Sequence, residues 1–237
     1  MPMCRLTLSA NAGLAVDLGG TRILADALHR SRVPGFSTLT PERWNALLAH
    51  PAFADPALLF FTHRHPDHFS QVLAQQALAR WPQAEAILPD GYFPWQLPLT
   101  APRQRLVLGG VTLDFIRLPH EGTQNAHVAH YGCILDCQGF RVLLTGDCAL
   151  CAPELQAALA ESGPVDLAVL DFPWLTLPRG RCFIREVIRP KSLAVCHLPF
   201  PEDDLYGYRP AAEKAAPLLP DLDVRLLMEP FQQESFS

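Results

Sequence analysis

The densest chemistry in the sequence lies at Thr62-His63-Arg64-His65-Pro66-Asp67-His68, directly after the apolar run Leu58-Leu59-Phe60-Phe61. Three imidazoles and one carboxylate fall within six positions. These are the donor types that suit zinc and similar divalent ions. In an extended segment His63 and His65 point to the same side, because successive side chains alternate. Pro66 stiffens the bend that follows, so Asp67 and His68 turn toward a second point nearby. The spacing suits four ligands for two adjacent metals. A plainer reading makes Asp67 a helix N-cap and the histidines surface residues, but it leaves their clustering after a buried strand without a cause.

Other groups of the same types stand where elements end. The segment 4–26 reads as β structure with turns at Asn11-Ala12-Gly13 and Leu18-Gly19-Gly20, and its last strand, 21–26, ends on the carboxylate of Asp26. Thr40-Pro41 opens a helix. Strand 57–61 delivers the histidine cluster, and an amphipathic helix follows over 69–81, with Val72, Leu73 and Leu78 as its apolar positions. A short strand spans 84–88, and the proline- and aromatic-rich stretch 89–104 reads as a loop. Hairpins are predicted over 104–118, ending at His120, and over 131–145, ending at Asp147. Then come a helix over Pro153–Ser162, a strand over Leu167–Asp171, a helix over 181–189, a strand over 193–196 ending at His197, a helix over 210–219 and a final strand over 224–228. Thus His63, His120, Asp147 and His197 each follow a predicted strand. Strand ends along one rim bring distant side chains together. Two β-rich halves with helices between them suggest an α/β protein of two sheets face to face with helices outside, as one domain over 1–237.

The histidine cluster has the pattern HxHxDH, which resembles the signature of the metallo-β-lactamase superfamily. Leu144-Thr145-Gly146-Asp147 resembles that family's bridging-aspartate motif, Val195-Cys196-His197-Leu198-Pro199 its last histidine motif, and Ile23-Leu24-Ala25-Asp26 its early strand ending in aspartate. The motifs keep the family's order and span nearly the whole chain. The resemblance implies a four-layer αββα sandwich with two divalent metal ions, zinc first, manganese or iron as alternatives. Carried over by position, His63 and His65 would hold the first ion with a third histidine, and Asp67, His68 and His197 the second. Asp147 would bridge them, and Asp26 would orient the histidine loop from behind. The third histidine departs from the common Gly-His-Thr-x-Gly form. His120 is preferred because it follows its strand directly, and His127 and His130 are the other choices.

Such a centre with two carboxylates and one hydroxide keeps a net positive charge, so it attracts anionic groups and polarises a carbonyl or phosphoryl oxygen. Coordination brings the pKa of a bound water from 15.7 toward about 7. The reaction class implied is hydrolysis by metal-bound hydroxide of an ester, lactone, amide or phosphodiester. Asp67, His127 and His130 are the candidates for catalytic roles beyond plain ligation, with Glu121 as another possible acid. Rival readings are a small-phosphodiester or RNA-processing phosphodiesterase, with Arg179 or Arg181 on the phosphate, and a non-catalytic metal-binding domain. Di-iron redox relatives typically carry Glu where this chain has His65. The aromatic stretches Tyr92–Trp95 and Phe172-Pro173-Trp174 read as loop anchors or as lids over a pocket, and Asp171 as a loop cap or a group facing the site.

Composition narrows the partners. A net charge of -5 over 237 residues argues against general nucleic-acid binding, which leaves a small-molecule substrate, with anionic ones among the candidates. No apolar run is long enough to cross a bilayer, and Met1 to Leu6 carry no leader pattern. Seven cysteines, an odd number, read as free thiols of a reducing compartment, the cytoplasm. Cys148 and Cys151 form a lone CxxC, which reads as small residues in a loop.

Overall fold

A computed structural model describes residues 4–30 and 33–237; the start of the segment read for a leader, Met1 to Met3, lies outside them. The first half forms β1 (Cys4–Leu8), β2 (Leu14–Leu18), β3 (Thr21–Ala25), α1 (Pro41–Ala49), β4 (Leu58–Phe60), α2 (Gln71–Arg80), β5 (Glu85–Pro89) and β6 (Leu97–Leu99). Next come β7 (Arg103–Leu108), β8 (Val111–Arg117), β9 (Tyr131–Cys137), β10 (Phe140–Leu144), α3 (Pro153–Ser162) and β11 (Leu167–Asp171). The chain ends with α4 (Phe172–Thr176), α5 (Pro178–Phe183), β12 (Ser192–Cys196), α6 (Tyr208–Ala215), β13 (Asp223–Leu226) and β14 (Gln233–Phe236).

These strands make two seven-stranded sheets, ordered β14-β1-β2-β3-β4-β5-β6 and β13-β12-β11-β10-β9-β8-β7. Each is antiparallel through its hairpins and parallel beyond them: β3 to β6 in one, β10 to β13 in the other. Strands buried on both faces read as continuous apolar runs, and the second sheet shows why. Leu167, Val169, Ala194 and Cys196 join the core shared with the first sheet. Their neighbours Ala168, Leu170, Leu193 and Val195 face the other way, into a core with α3, α4, α5 and α6. Helix α2 packs at β5, and α3 and α4 at β8, β11 and β12. The architecture is the αββα sandwich.

Four expectations are corrected. The stretch 89–104 contains β6, an edge strand; Pro98 hides it in the sequence and is tolerated because an edge strand pairs on one side only. Phe172–Thr176 is a helix rather than a loop, with Pro173 in its first turn. The last strand is β14, which returns to the first sheet beside β1. Val72 is 52% exposed, so the buried face of α2 is Leu73, Ala74 and Ala77.

Candidate metal centre

Strand ends do position the site. Asp26, just past β3, takes a left-handed φ of 48°, and its backbone N–H donates to Phe60 O. Its carboxylate accepts from the Thr62 backbone N–H at 2.8 Å, from the Thr62 hydroxyl at 2.7 Å and from His68 Nδ1 at 2.9 Å. One buried carboxylate therefore holds both ends of the histidine loop. Because the Thr62 hydroxyl spends its proton on Asp26, it can only accept from His63 Nδ1, 2.9 Å away. His120 Nδ1 donates to Glu121 O at 2.8 Å. In His63 and His120, therefore, Nδ1 is the protonated nitrogen and Nε2 is the one left bare, while His68 gives Nδ1 to Asp26 and turns Nε2 to Asp147 Oδ1 at 3.2 Å.

The loop of Asp147 is fixed from two sides. Gly146 has φ 54°, and a Cβ there would lie 2.8 Å from His130 Nε2 and 2.9 Å from Thr62, so only glycine lets these loops approach. Across the strand ends, His120 and Cys148 form an antiparallel bridge. Glu121 N–H donates to Asp147 O, and Ala149 N–H to Pro119 O. His197 follows β12 with φ 59°, its N–H donating to Asn11 O. Left-handed backbone at non-glycine residues is costly and concentrates at functional sites.

The donors fall into two groups: His63, His65, His120 and Asp147, and Asp67, His68 and His197, each with its donor atoms within 4.8 Å of one another. Asp147 stands between the groups. Its Oδ2 is 3.9 Å from His63 Nε2 and 3.7 Å from His120 Nε2, while its Oδ1 is 3.2 Å from His68 Nε2 and 3.5 Å from His197 Nε2. Asp67 Oδ2 is 3.6 Å from His197 Nε2.

These residues fit divalent cations. His63 and His120 aim bare Nε2 atoms at each other across 3.2 Å, and His65 Nδ1 is 3.1 Å from His120 Nε2. Lone pairs so arranged repel unless a cation lies between them. Two imidazole nitrogens on a tetrahedral zinc, at 2.0–2.1 Å from it, would sit about 3.3 Å apart. Protonation is matched too. Burial, reinforced by His68, holds His63 well below its ordinary pKa; burial also lowers His65 and His197. They are neutral at pH 7, as ligation requires. Burial disfavours the charged form of Asp147, but His68, charged and hydrogen-bonded to it, outweighs this and keeps the carboxylate well below the usual range. Burial likewise opposes charge on His68, yet Asp147 and Asp26 raise it well above the ordinary value.

Other sequence candidates lie elsewhere. His127 is exposed, in the loop 121–130. His130 is fully buried with its ring 5.3 Å from that of His63 and 5.5 Å from that of His120. Burial pushes its pKa down to about 3, which is poor placement for a donor to a departing group. Glu121 accepts from the Leu150 N–H and pairs with Arg179. Arg181 donates to the carbonyls of Leu175 and Thr176, which takes its guanidinium off any substrate. Asp171 makes no capping bond. It is buried, its Oδ1 lacks a hydrogen-bond partner, and with Asp26, Thr62 and Asp147 it lines a small cavity of ≈ 20 Å³. Burial and the charge of Asp147 raise its pKa well above normal. Cys148 is buried and Cys151 exposed, and neither joins a donor group.

Sequence reasoning missed two neighbours of the site. Asn11, read as a turn residue, places Nδ2 3.4–3.5 Å from Asp67. Phe36 meets the His197 ring edge-on at 4.5 Å. Nothing local marks either one.

Asp26→Asn tolerates the left-handed backbone but puts an amide where three donors converge. It is expected to weaken metal binding about 10- to 100-fold, read by competition against a chromogenic chelator. Unchanged affinity would remove Asp26 from the support of this loop.

A sequence profile of the beta-lactamase superfamily domain matches residues 21–176. Comparison with curated proteins finds no match. The fold is similar to that of Igni18, a novel metallo hydrolase from the hyperthermophilic archaeon Ignicoccus hospitalis, at 17% identity over 99% of each chain with a TM-score of 0.66. It is similar to isothiocyanate hydrolase from Delia radicum gut bacteria, at 16% identity over 98% of this chain and 99% of that one, TM-score 0.68. It is also similar to CmlA, a diiron beta-hydroxylase from Streptomyces venezuelae, at 15% identity and TM-score 0.65, over 98% of this chain and 54% of that one. Likeness at such identities reports the fold.

Proposed function

The chain belongs to the metallo-β-lactamase superfamily, and on that premise we propose that it hydrolyses a small-molecule ester, lactone, amide or phosphodiester with two divalent ions, zinc first. The observation that carries this reading is the split of donors about Asp147, one oxygen toward His63 and His120, the other toward His68 and His197. His63, His65 and His120 would hold one ion, Asp67, His68 and His197 the other, with Asp147 shared. When bound, such ions supply Lewis acidity and water activated at neutral pH. The chain's own residues supply position. Asp26 and Thr62 fix which imidazole nitrogens of His68 and His63 turn inward, and Asn11 rests its amide on Asp67. No helix among the described residues is long and apolar enough to cross a membrane, and seven free cysteines support a cytoplasmic setting.

One observation favours a second reading, a small phosphodiester. A cleft of ≈ 800 Å³ beside His120 is lined by Arg117 and Arg179, and guanidinium groups suit phosphate.

Metal analysis of the purified protein, followed by chelation, reloading with zinc, manganese or iron, and a screen against ester, lactone, thioester, β-lactam and phosphodiester reporters, tests both. The expected result is two ions per chain and turnover of one hydrolysable class that vanishes on chelation. Two tightly held ions with no hydrolysis of any reporter would overturn the catalytic reading in favour of a binding domain. Turnover confined to phosphodiesters would select the second reading. Iron with oxygen-dependent oxidation in place of hydrolysis would overturn both.

A further inference from the structure

We propose that the surface beside His197 recognises a planar, π-bearing group, an aryl or conjugated acyl substituent, through Phe36, Tyr208 and Tyr206. The proposal rests on the hydrolase reading only in placing the reacting bond at the neighbouring centre.

The rings form a continuous ladder that begins at a candidate ligand. Phe36 lies edge-on to His197, with centroids 4.5 Å apart and planes at 82°. Its other side stacks on Tyr208 at 5.6 Å and 25°. Tyr208 stacks in turn on Phe172 at 4.5 Å and meets Tyr206 at 5.5 Å. Core aromatics in this chain, such as Phe60, Phe61 and Phe115, are 0% exposed. The ladder is different: Phe36, Tyr208 and Phe172 are half-buried, Tyr206 is 60% exposed, and the adjoining Leu205 is 67% exposed. Two adjoining large apolar side chains left in water beside half-buried rings offer a surface that a ligand can cover.

The ladder is held rigid, as a recognition surface requires. Ser37, next to Phe36, donates to Asp203 Oδ2 and accepts from the Phe200 N–H, both at 2.8 Å. Gly35 has φ 83°, and a Cβ there would lie 2.4 Å from the Tyr206 ring, so this ring lies against bare backbone. Tyr208 begins α6, and its N–H donates to Asp204 Oδ1 at 2.8 Å.

Its chemistry is neutral. Asp204 is spent on the first N–H groups of α6, and Arg209 turns to the carbonyls of Pro199 and Met228 and to Glu229. Recognition by the ladder would therefore come from ring faces and edges, which favour another π system over an aliphatic group of equal size.

The test is binding, kept apart from turnover. Calorimetry on the zinc-loaded protein compares phenylacetate with cyclohexylacetate, acids of similar size and charge. Phenylacetate is expected to bind about tenfold more tightly, the gain from one or two added aromatic contacts. Phe36→Leu is expected to bring the ratio close to one. Tyr206→Ala, at an exposed position, removes one ring without touching the core and is expected to lower the ratio by about threefold. Equal affinities in the parent protein, no binding of phenylacetate at millimolar concentration, or a ratio indifferent to both substitutions would each overturn the proposal. A ratio that behaves as expected in a protein that hydrolyses no ester would sink the hydrolase reading and leave this one standing. Ester turnover with a ratio of one would do the reverse.

Discussion

Asp147→Ala is expected to cost the metal-loaded protein on the order of 10³-fold in kcat/KM, because ions at such a site contribute several kcal/mol of charge stabilisation at about 1.4 kcal/mol per decade. Asp147 is the residue whose two oxygens reach both donor groups, within 3.2–3.5 Å of His68 and His197 and 3.7–3.9 Å of His63 and His120. Alanine removes a donor from each side and the negative charge that would let two cations lie close together. The remaining sets are unequal: His63, His65 and His120 keep three imidazoles, whereas Asp67, His68 and His197 keep two with one carboxylate. Metal content after dialysis against a mild chelator is therefore expected to fall toward one ion or fewer per chain. Asp147→Asn, which keeps the shape and one carbonyl oxygen but no charge, is expected to fall between the parent and alanine in both measurements. Two retained ions and an undiminished rate in the alanine variant would show that Asp147 does not link the groups.

Much of this centre was legible because polar groups at the ends of apolar strands announce themselves. Asp26 after Ile23-Leu24-Ala25, His63 after Leu58 to Phe61 and His197 after Leu193 to Cys196 each break a run that is otherwise buried. The choice among His120, His127 and His130 was not settled by spacing. His120 faces His63 and His65 because loops 119–121 and 147–149 pair through backbone hydrogen bonds, a contact between residues nearly 30 positions apart. Asn11 and Phe36 escaped for the same reason: their role comes from what lies opposite them, Asp67 and His197, not from their neighbours in sequence. The missed strands are edges. Leu97–Leu99 carries a proline, and Gln233–Phe236 is mostly polar; each pairs on one side only and so needs no apolar run.

Acidifying the metal-free protein from pH 6.5 to pH 4 is expected to remove a large part of its stability, with two histidines that the proposed metals do not use as main contributors. His29 and His130 are both 0% exposed. Burial pushes His29 down to about 4 and His130 down to about 3. In the unfolded chain each binds a proton near pH 6.5. Between that pH and the folded-state value the unfolded state holds more protons, so stability rises with pH across the window and is lost on acidification. At about 1.4 kcal/mol per unit, the drop from pH 6.5 to pH 4 removes roughly 3 kcal/mol through each of His29 and His130, against about 5–15 kcal/mol for a whole domain. Among the neighbouring groups, His63, His65 and His197, also lowered, act in the same direction, and Asp171, raised well above 3.8, acts against it. His68, raised well above 6.5, contributes fully below 6.5 and loses its contribution only as pH rises through its folded value. Asp147, lowered well below 3.8, loses its contribution only below this window. Urea midpoints of the chelated protein measured from pH 7 to pH 4.5 should fall steadily, and His29→Gln should flatten the slope. The glutamine amide can keep the bond that His29 Nε2 makes to Ala10 O at 3.1 Å, without a group that titrates. A midpoint that stays level from pH 6.5 to 4.5, or a variant whose slope parallels the parent's, would mean that these buried imidazoles do not set the acid limit of the fold.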